Sequence, residues 1–277
     1  MSPQISQLFV YPIKSCAGIS VSSFQFDEKG PLFDRRWMLV DSATGVFLSQ
    51  REVPQLALIS TRIEDGQVWA SQLLDKTIAE GLCLNERGEL IDVQVWSDDV
   101  RGYDCGDEAA NWFSQVLNRS CRLVYQGDCL RFADEEYADK GTNVGFADGF
   151  PLLVVAQSSI DFLNDACEAE ISAVNFRPNI VVENSVVFAE RNWQSLTASG
   201  LLSDANLEMT VVKSCERCVI PALNPNTAKR EPSILPVLLK YCRREKKIHF
   251  GQNLTFNYFD KLEVKVGQAL TITEKAM

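Results

Sequence analysis

Val212-Lys213-Ser214-Cys215-Glu216-Arg217-Cys218-Val219-Ile220-Pro221 closes a strand-like run and opens a loop, and at that junction it sets a thiol beside a permanent cation. A guanidinium stays charged at any working pH, so it favours the ionised form of a thiol held close to it. Ionised sulfur is a preferred ligand of soft or highly charged metals. Cys218 is therefore the expected metal ligand of this chain, and Arg217 the expected cation beside it.

A Cys-x-x-Cys pair alone supports several chemistries. A structural zinc site needs four ligands, but His249 is the single histidine, and Cys16, Cys83, Cys105, Cys121, Cys129, Cys167 and Cys242 stand singly without ligand spacing. A thioredoxin-like dithiol opens a helix, whereas Val219-Ile220-Pro221 and Asn224-Pro225-Asn226 read as continuing loop. A thiol that simply packs in the core is the plainest alternative, since free cysteine is among the most buried residue types.

Four further segments, read with Arg217-Cys218, decide among these. They are Tyr11-Pro12-Ile13-Lys14-Ser15-Cys16-Ala17-Gly18, Asp34-Arg35-Arg36-Trp37-Met38-Leu39-Val40, Phe47-Leu48-Ser49-Gln50-Arg51 and Asn175-Phe176-Arg177-Pro178-Asn179-Ile180. In this order the five segments resemble the MOSC-domain family, named for the C-terminal part of molybdenum-cofactor sulfurases, and within it the branch of amidoxime-reducing components and bacterial YcbX-type proteins. The resemblance runs from about Ile5 to the end of the chain. It implies a β-rich α+β fold, with an N-terminal MOSC-associated β domain over residues 1–100 packed on a C-terminal MOSC β-barrel domain over 101–277 that carries a few helices. It also implies a molybdenum–molybdopterin cofactor held by Lys14, Ser15, Arg35, Arg51, Ser158, Ser159, Arg177, Asn179 and Arg217, with Cys218 as catalytic metal ligand.

The residue types agree with that cofactor. A phosphate and a polar pterin ring need cations and donors converging from several parts of the fold. Lys14, Arg35, Arg51 and Arg177 each sit near a Pro, Gly or strand-end signal, which places them on loops at the mouth of a β framework. Each taken singly also reads as a surface ion pair. Ser158 and Ser159 follow the apolar run Pro151-Leu152-Leu153-Val154-Val155-Ala156 and begin a helical pattern with Ile160 and Leu163. Ser158 with Asp161 reads as a capping pair, while the same helix start suits a phosphate.

The chain has 277 residues, 46% hydrophobic and 23% charged, enough for a sizeable core. Its net charge of −10 disfavours nucleic acid as a ligand. No apolar stretch approaches the roughly 18 residues of a membrane span, and the N-terminus lacks the blocks of a signal peptide. Nine cysteines without a compact framework suit a reducing compartment, so a cytoplasmic protein without a membrane anchor is expected.

Hydrophobic alternation predicts strands over residues 19–26, 37–40 and 89–96, with a turn at 41–45 and hairpin signals at 61–66 and 85–88. Residues 107–117 read as a helix with Ala109, Trp112, Phe113, Val116 and Leu117 on one face. A strand over 121–125 precedes a long polar loop, 132–149, of a kind that usually carries function or disorder. Strands follow near 152–156, 179–183, 207–213 and 262–266, and a helix over 233–243 must take Pro236 in its first turn or be kinked by it. Arg243-Arg244-Glu245-Lys246-Lys247 reads as a solvated helix end beside a turn.

The activity implied by the resemblance is a molybdenum-centred two-electron reduction of N-hydroxylated compounds such as hydroxylamines, amidoximes and N-hydroxylated bases. No cluster-type cysteine run follows Cys242, so a separate electron-transfer reductase is the expected partner. Asn224 stands where relatives carry an acid, which leaves the proton donor open. The alternative is a carrier of the cofactor or of a persulfide on Cys218, with Cys215 as a resolving thiol or an incidental neighbour. A cofactor-free interaction protein is the third reading.

Overall fold

The computed structural model describes residues 2–72, 81–84, 88–199, 206–259 and 262–276. The first half contains β1 (Gln4–Val10), β2 (Ile19–Val21), β3 (Ser23–Asp27), β4 (Gly30–Pro31), β5 (Trp37–Asp41), β6 (Ile59–Glu64), β7 (Gln67–Gln72), β8 (Leu82–Cys83), β9 (Leu90–Val95) and β10 (Asp98–Asp104). Then come α1 (Asp107–Leu117), β11 (Cys121–Tyr125), β12 (Leu152–Ala156), α2 (Gln157–Asp165), α3 (Ala173–Phe176), β13 (Ile180–Glu183), β14 (Trp193–Ala198) and β15 (Leu207–Arg217). The chain finishes with α4 (Ile234–Cys242), β16 (Arg243–Arg244), β17 (Lys247–Phe256), β18 (Glu263–Lys265) and β19 (Leu270–Glu274).

Nine of these strands form one sheet in the order β19-β14-β15-β17-β12-β13-β1-β2, with β16 paired to β17 beside that path. β12, Leu-Leu-Val-Val-Ala, is buried at every position, as a central strand covered on both faces must be. It pairs in parallel with β13, and the crossover between them carries α2 and α3. One face of the sheet packs around Leu8, Val154, Ile180 and Leu254, and the other buries Val155, Phe176, Leu238 and Phe250 beneath the helices.

The expected C-terminal β-barrel is not closed by a continuous ladder. The two ends of the sheet do meet, through the Gln4–Ala269 bridge and backbone bonds from the Ile5 N–H to the Gln268 carbonyl at 2.9 Å, from Gly267 to Ile5 at 2.8 Å and from Leu270 to Pro3 at 2.9 Å, while β2 takes the edge of β1 farther along at Leu8, Phe9 and Val10. β1 and β2 also join the sheet built largely by the second half of the chain, and residue 100 falls inside β10.

A four-stranded sheet, β5-β11-β10-β9, and the β6-β7-β8 sheet carry most of the rest of the first half, while β3 and β4 form a small sheet with β18. α1 covers the four-stranded sheet with Ala109, Ala110, Phe113 and Leu117 buried and Trp112 and Val116 packed at the margin. Asp107 and Glu108 sit in its positively polarised first turn, and Asn118 ends it in a left-handed conformation at φ 48°. The Asp65-Gly66 turn joins β6 to β7 with both residues at positive φ, as a tight hairpin requires. The other expected hairpin signal, at 85–88, lies outside the described residues but for Gly88. The basic run at 243–247 is a hairpin between β16 and β17, with Glu245 at φ 52°, rather than a helix end.

The topology gathers loops at one end of the large sheet. β1 runs out where the antiparallel β13 begins, β12 begins beside it, and β17 and β15 bring Asn253 and Lys213 alongside Leu153. Asn179 is the rivet of this end. Its Nδ2 donates to the Phe9 carbonyl at 3.2 Å, and its Oδ1 accepts from the Leu153 N–H at 3.2 Å and from Arg35 Nη1 at 3.3 Å. Replacing Asn179 by Ala strands a carbonyl and an N–H in the interior, so urea unfolding should show a loss of about 2–3 kcal/mol. A loss below about 0.5 kcal/mol would show that the amide does not bind this end together.

Candidate functional site

A cleft opens where these loops meet the β9–β10 hairpin. It is lined by Lys14, Arg35, Arg51, Arg177, Arg217 and Cys218, and by Trp96, whose ring lies 5.8 Å from Lys14 Nζ and 4.7 Å from the Arg51 guanidinium carbon. Five cations thus share one cleft on a chain of net charge −10, and the carboxylates lining it are Asp148 and Glu216.

Backbone carbonyls hold the cations in place. Lys14 Nζ donates to the Phe146 carbonyl at 2.8 Å and to Asp148 Oδ1 at 2.5 Å. Arg35 donates to Asp34 Oδ2 at 2.5 Å and to the Arg177 carbonyl at 3.1 Å. Arg177 Nη1 donates to the Cys16 carbonyl at 2.7 Å. Arg217 donates through Nε to the Phe250 carbonyl at 2.8 Å and through Nη1 to the Phe176 carbonyl at 2.9 Å. Two of them pack on the Tyr11 ring, with the Arg35 and Arg177 guanidinium carbons 4.6 Å and 4.3 Å from its centroid. After these bonds, Arg177 Nη2 and Arg217 Nη2 remain buried without a hydrogen-bond partner.

Several of these residues carry backbone strain. Ser15 has φ 70°, Arg35 51°, Trp96 56° and Arg177 56°, a region that L-residues enter at a cost of roughly 1 kcal/mol or more. Glycine would relieve each, so the retained side chains point to a use in the cleft. Gly251, at φ 76°, meets the opposite demand. A Cβ there would lie 2.9 Å from the Val154 carbonyl and 3.2 Å from Arg217 Nη2, so the bare backbone makes room for the guanidinium.

Cys218 follows the last residue of β15, and a 3-10 turn over Ile220–Ala222 comes directly after it, where the sequence reads as loop. The Ile220 N–H donates to its sulfur at 3.4 Å. Arg217 thus spends its hydrogen bonds on carbonyls, while a backbone donor faces the sulfur.

The MOSC N-terminal beta barrel domain matches residues 2–120, and the MOSC domain matches residues 141–271. This chain belongs to the MOSC-domain family. Mitochondrial amidoxime-reducing component 1 of Mus musculus is 30% identical over 271 residues, covering 94% of this chain and 78% of that protein. Mitochondrial amidoxime reducing component 2 of Bos taurus is 30% identical over 276 residues, covering 95% of this chain and 80% of that protein. Molybdenum cofactor sulfurase of Bos taurus is 29% identical over 280 residues, which cover 92% of this chain and 30% of that protein.

The MOSC cleft brings together most, but not all, of the residues expected from sequence. Lys14, Ser15, Arg35, Arg51, Arg177, Asn179, Arg217 and Cys218 line it. Asn179 does so from beneath, with its amide committed to backbone and Arg35. Ser158 and Ser159 are not in the lining. They lie inside α2, which starts at Gln157 after Ala156, so Ser158 does not cap it, and Asp161 accepts from Gln157 Nε2 at 2.7 Å. Ser159 donates to the buried Glu190 carboxylate at 2.8 Å. Burial raises the pKa of Glu190, partly offset by Ser159 and by backbone hydrogen bonding at Ala156. The chain's own carboxyl group thus occupies the helix start that the sequence offers to a phosphate.

Sequence reading missed Tyr11, Trp96 and Asp148. Trp96 and Asp148 come from a hairpin tip and from the long loop at 132–149, and the Trp96 indole donates to Asp148 at 3.2 Å. Only the length of that loop signalled a role.

Desolvation lowers the Lys14 pKa to about 8, against the opposing pull of Asp148. Lys14 first, then Arg35 and the Trp96 hydrogen bond, hold the carboxyl of Asp148, whose side chain is 77% exposed, below the usual range. The Lys14 pKa falls from 10.5 on folding, so this group weakens the fold below pH 8, and stability rises as pH climbs from about 8 to 10.5. Anion binding runs the other way. Affinity for sulfate, whose charge is constant in this range, should fall several-fold as pH rises through about 8, and titration calorimetry of Lys14→Met should show weaker binding with that step removed. A step of equal size in the variant would assign it to another group.

Proposed function

We propose that this chain is a molybdenum-cofactor-dependent reductase of N-hydroxylated compounds, supplied with electrons by a separate reductase protein. One observation carries the reading: two buried guanidinium nitrogens without partners, among five cations, beside a cysteine at a strand end. A cluster of like charges left partly unsatisfied suits a ligand with several anionic and acceptor oxygens. The names of the amidoxime-reducing relatives supply the reaction class.

The residues present fit such a group. Lys14, Arg177 and Arg217 would neutralise a phosphate and donate to the pterin, with Ser15 and Arg35 beside them and Arg51 at the rim. Cys218 would supply the protein sulfur to molybdenum, and the Ile220 N–H donates to that sulfur. When bound, the cofactor supplies the two-electron couple. Tyr11 and the ring of carbonyls keep the guanidinium groups oriented before anything binds, so little reorganisation is left for the reaction. Asp148 stays ionised against Lys14 and serves as an anchor rather than a proton donor. Asn224 holds its own turn, accepting from the Asn226 and Thr227 N–H groups and donating to Glu231. All nine cysteines are free thiols, which supports a reducing, cytoplasmic setting.

Cys215 lines the same cleft, and this favours a second reading as a sulfur carrier. Burial raises the pKa of Cys215, with Arg217 pulling the other way. The deciding experiment measures molybdenum and released pterin in the native chain and in Cys218→Ser, with amidoxime turnover by a reconstituted electron-transfer chain. Near-stoichiometric metal and pterin, metal much reduced in the variant, and turnover in the native chain alone are expected. Absence of both after reconstitution, with a mass increase of sulfur on Cys218, would replace the reductase by the carrier.

A further inference from the structure

Seven cations and two carboxylates fall between Lys229 and Lys247, on a chain whose net charge is −10. All seven cations are exposed. Lys247 pairs with Glu216 at 2.6 Å, and among the described residues no carboxylate lies within 4.0 Å of the other six. Charges that the fold does not pair project their field outward, where it attracts a partner of opposite sign.

Strand register sets this patch beside the cysteine. β15 and β17 are paired as far as Arg217 and Ile248, and the next residue on each strand is Cys218 and Lys247. The β16–β17 hairpin, with Arg243, Arg244 and Lys246 exposed, therefore stands at the strand end that carries the proposed metal ligand. Glu216 lines the cleft, so its ion pair with Lys247 joins the cleft wall to the hairpin. α4 runs directly into β16 and adds Lys240 together with Leu239, an apolar side chain 49% exposed. Lys229 and Arg230 come from the turn between Cys218 and α4, where Arg230 bridges to Leu223. Cations around an exposed apolar side chain steer an acidic protein and then seat it.

We propose that the β16–β17 hairpin and the end of α4 form the docking surface for the electron donor, and that the donor is a carrier protein with an acidic contact face. This rests on the reductase reading, which brings a donor close to Cys218, and that adjacency selects a redox partner over a lipid surface. Reducing an N–OH group to N–H consumes two electrons and two protons and releases water. The carrier supplies the electrons and leaves oxidised, and solvent supplies the protons.

Titration calorimetry of the full-length chain at low salt tests this with flavodoxin and a [2Fe–2S] ferredoxin, two acidic carriers, against the basic cytochrome c. The acidic carriers should bind, more weakly as salt is raised, and cytochrome c should not. The combined change Arg243→Glu, Arg244→Glu and Lys246→Glu should weaken carrier binding by about tenfold or more, with sulfate binding in the cleft retained as proof of folding. Arg101→Glu, Lys265→Glu and Lys275→Glu together, an equal change of net charge at exposed positions on other strands and at the C-terminal end, should leave it within about twofold. Dithionite-driven amidoxime turnover should be the same in the hairpin variant and the native chain, while the KM for the carrier rises as the affinity falls. Native affinities weaker than about 1 mM for both acidic carriers overturn the proposal. So does equal weakening in the two triple variants, and so does hairpin-dependent binding to phosphatidylglycerol vesicles without carrier binding, which gives the patch to a membrane. Dithionite-driven turnover with a carrier KM that ignores the hairpin change would remove the docking surface and leave the reductase standing. Hairpin-dependent carrier binding by a chain that turns over no amidoxime with dithionite would do the reverse.

Discussion

Guanidinium groups held by main-chain carbonyls are the interaction on which the site depends. Arg35 reaches the Arg177 carbonyl, Arg177 reaches that of Cys16, and Arg217 reaches those of Phe176 and Phe250. Lys14 bonds the Phe146 carbonyl, and the Phe146 N–H returns to the Arg35 carbonyl at 2.8 Å. Segments far apart in sequence are stitched at one end of the sheet by charges that cannot be withdrawn from water unless they find acceptors. The left-handed backbone at Arg35 and Arg177 belongs to the same constraint, because those turns supply both a cation and a carbonyl to the network.

This arrangement explains how an acidic chain can offer a cationic cleft. Carbonyls satisfy buried cations without neutralising them, so the positive potential survives. Two carboxylates, Asp34 and Asp148, each hold one cation, and both lie at junctions where a loop must be pinned. Asp34 also accepts from the Tyr11 N–H at 2.8 Å, which ties the residue bearing the ring to the turn that carries Arg35. The result is a preorganised set of donors, with the remaining N–H capacity directed at whatever enters.

The same economy governs the surroundings of Cys218. β15 is paired with β17 up to Arg217, and its irregularity between Ser214 and Glu216 lies opposite the segment containing Gly251. The backbone there bends, Arg217 turns towards the carbonyls of Phe176 and Phe250, and the chain leaves the sheet at the cysteine. A sheet end supports the thiol more rigidly than a free loop would, and the 3-10 turn that follows supplies its N–H donor.

Local chemistry alone determined a good deal. α1 was legible to its end residues, because its apolar face, acidic first turn and Asn118 act within a few residues. β12 was legible as a fully apolar run, and β15 from Leu207 to Lys213, although the strand continues to Arg217. Five ordered motifs identified the family and named most of the residues that line the cleft. Only the tertiary structure decided the rest. β1 meets the start of β19 at Pro3 to Ile5 and gives way to β2 at Leu8 to Val10, a division of one strand between two partners that no window of sequence contains. Glu190 takes the start of α2 from some thirty residues away, which turns Ser159 from a donor for a ligand into an internal one. Tyr11 stood in a quoted motif and Asp148 in a long loop, yet neither they nor Trp96 could be assigned a part in the site, since a side chain's role there is set by what is folded against it, and for these three the partners come from other loops.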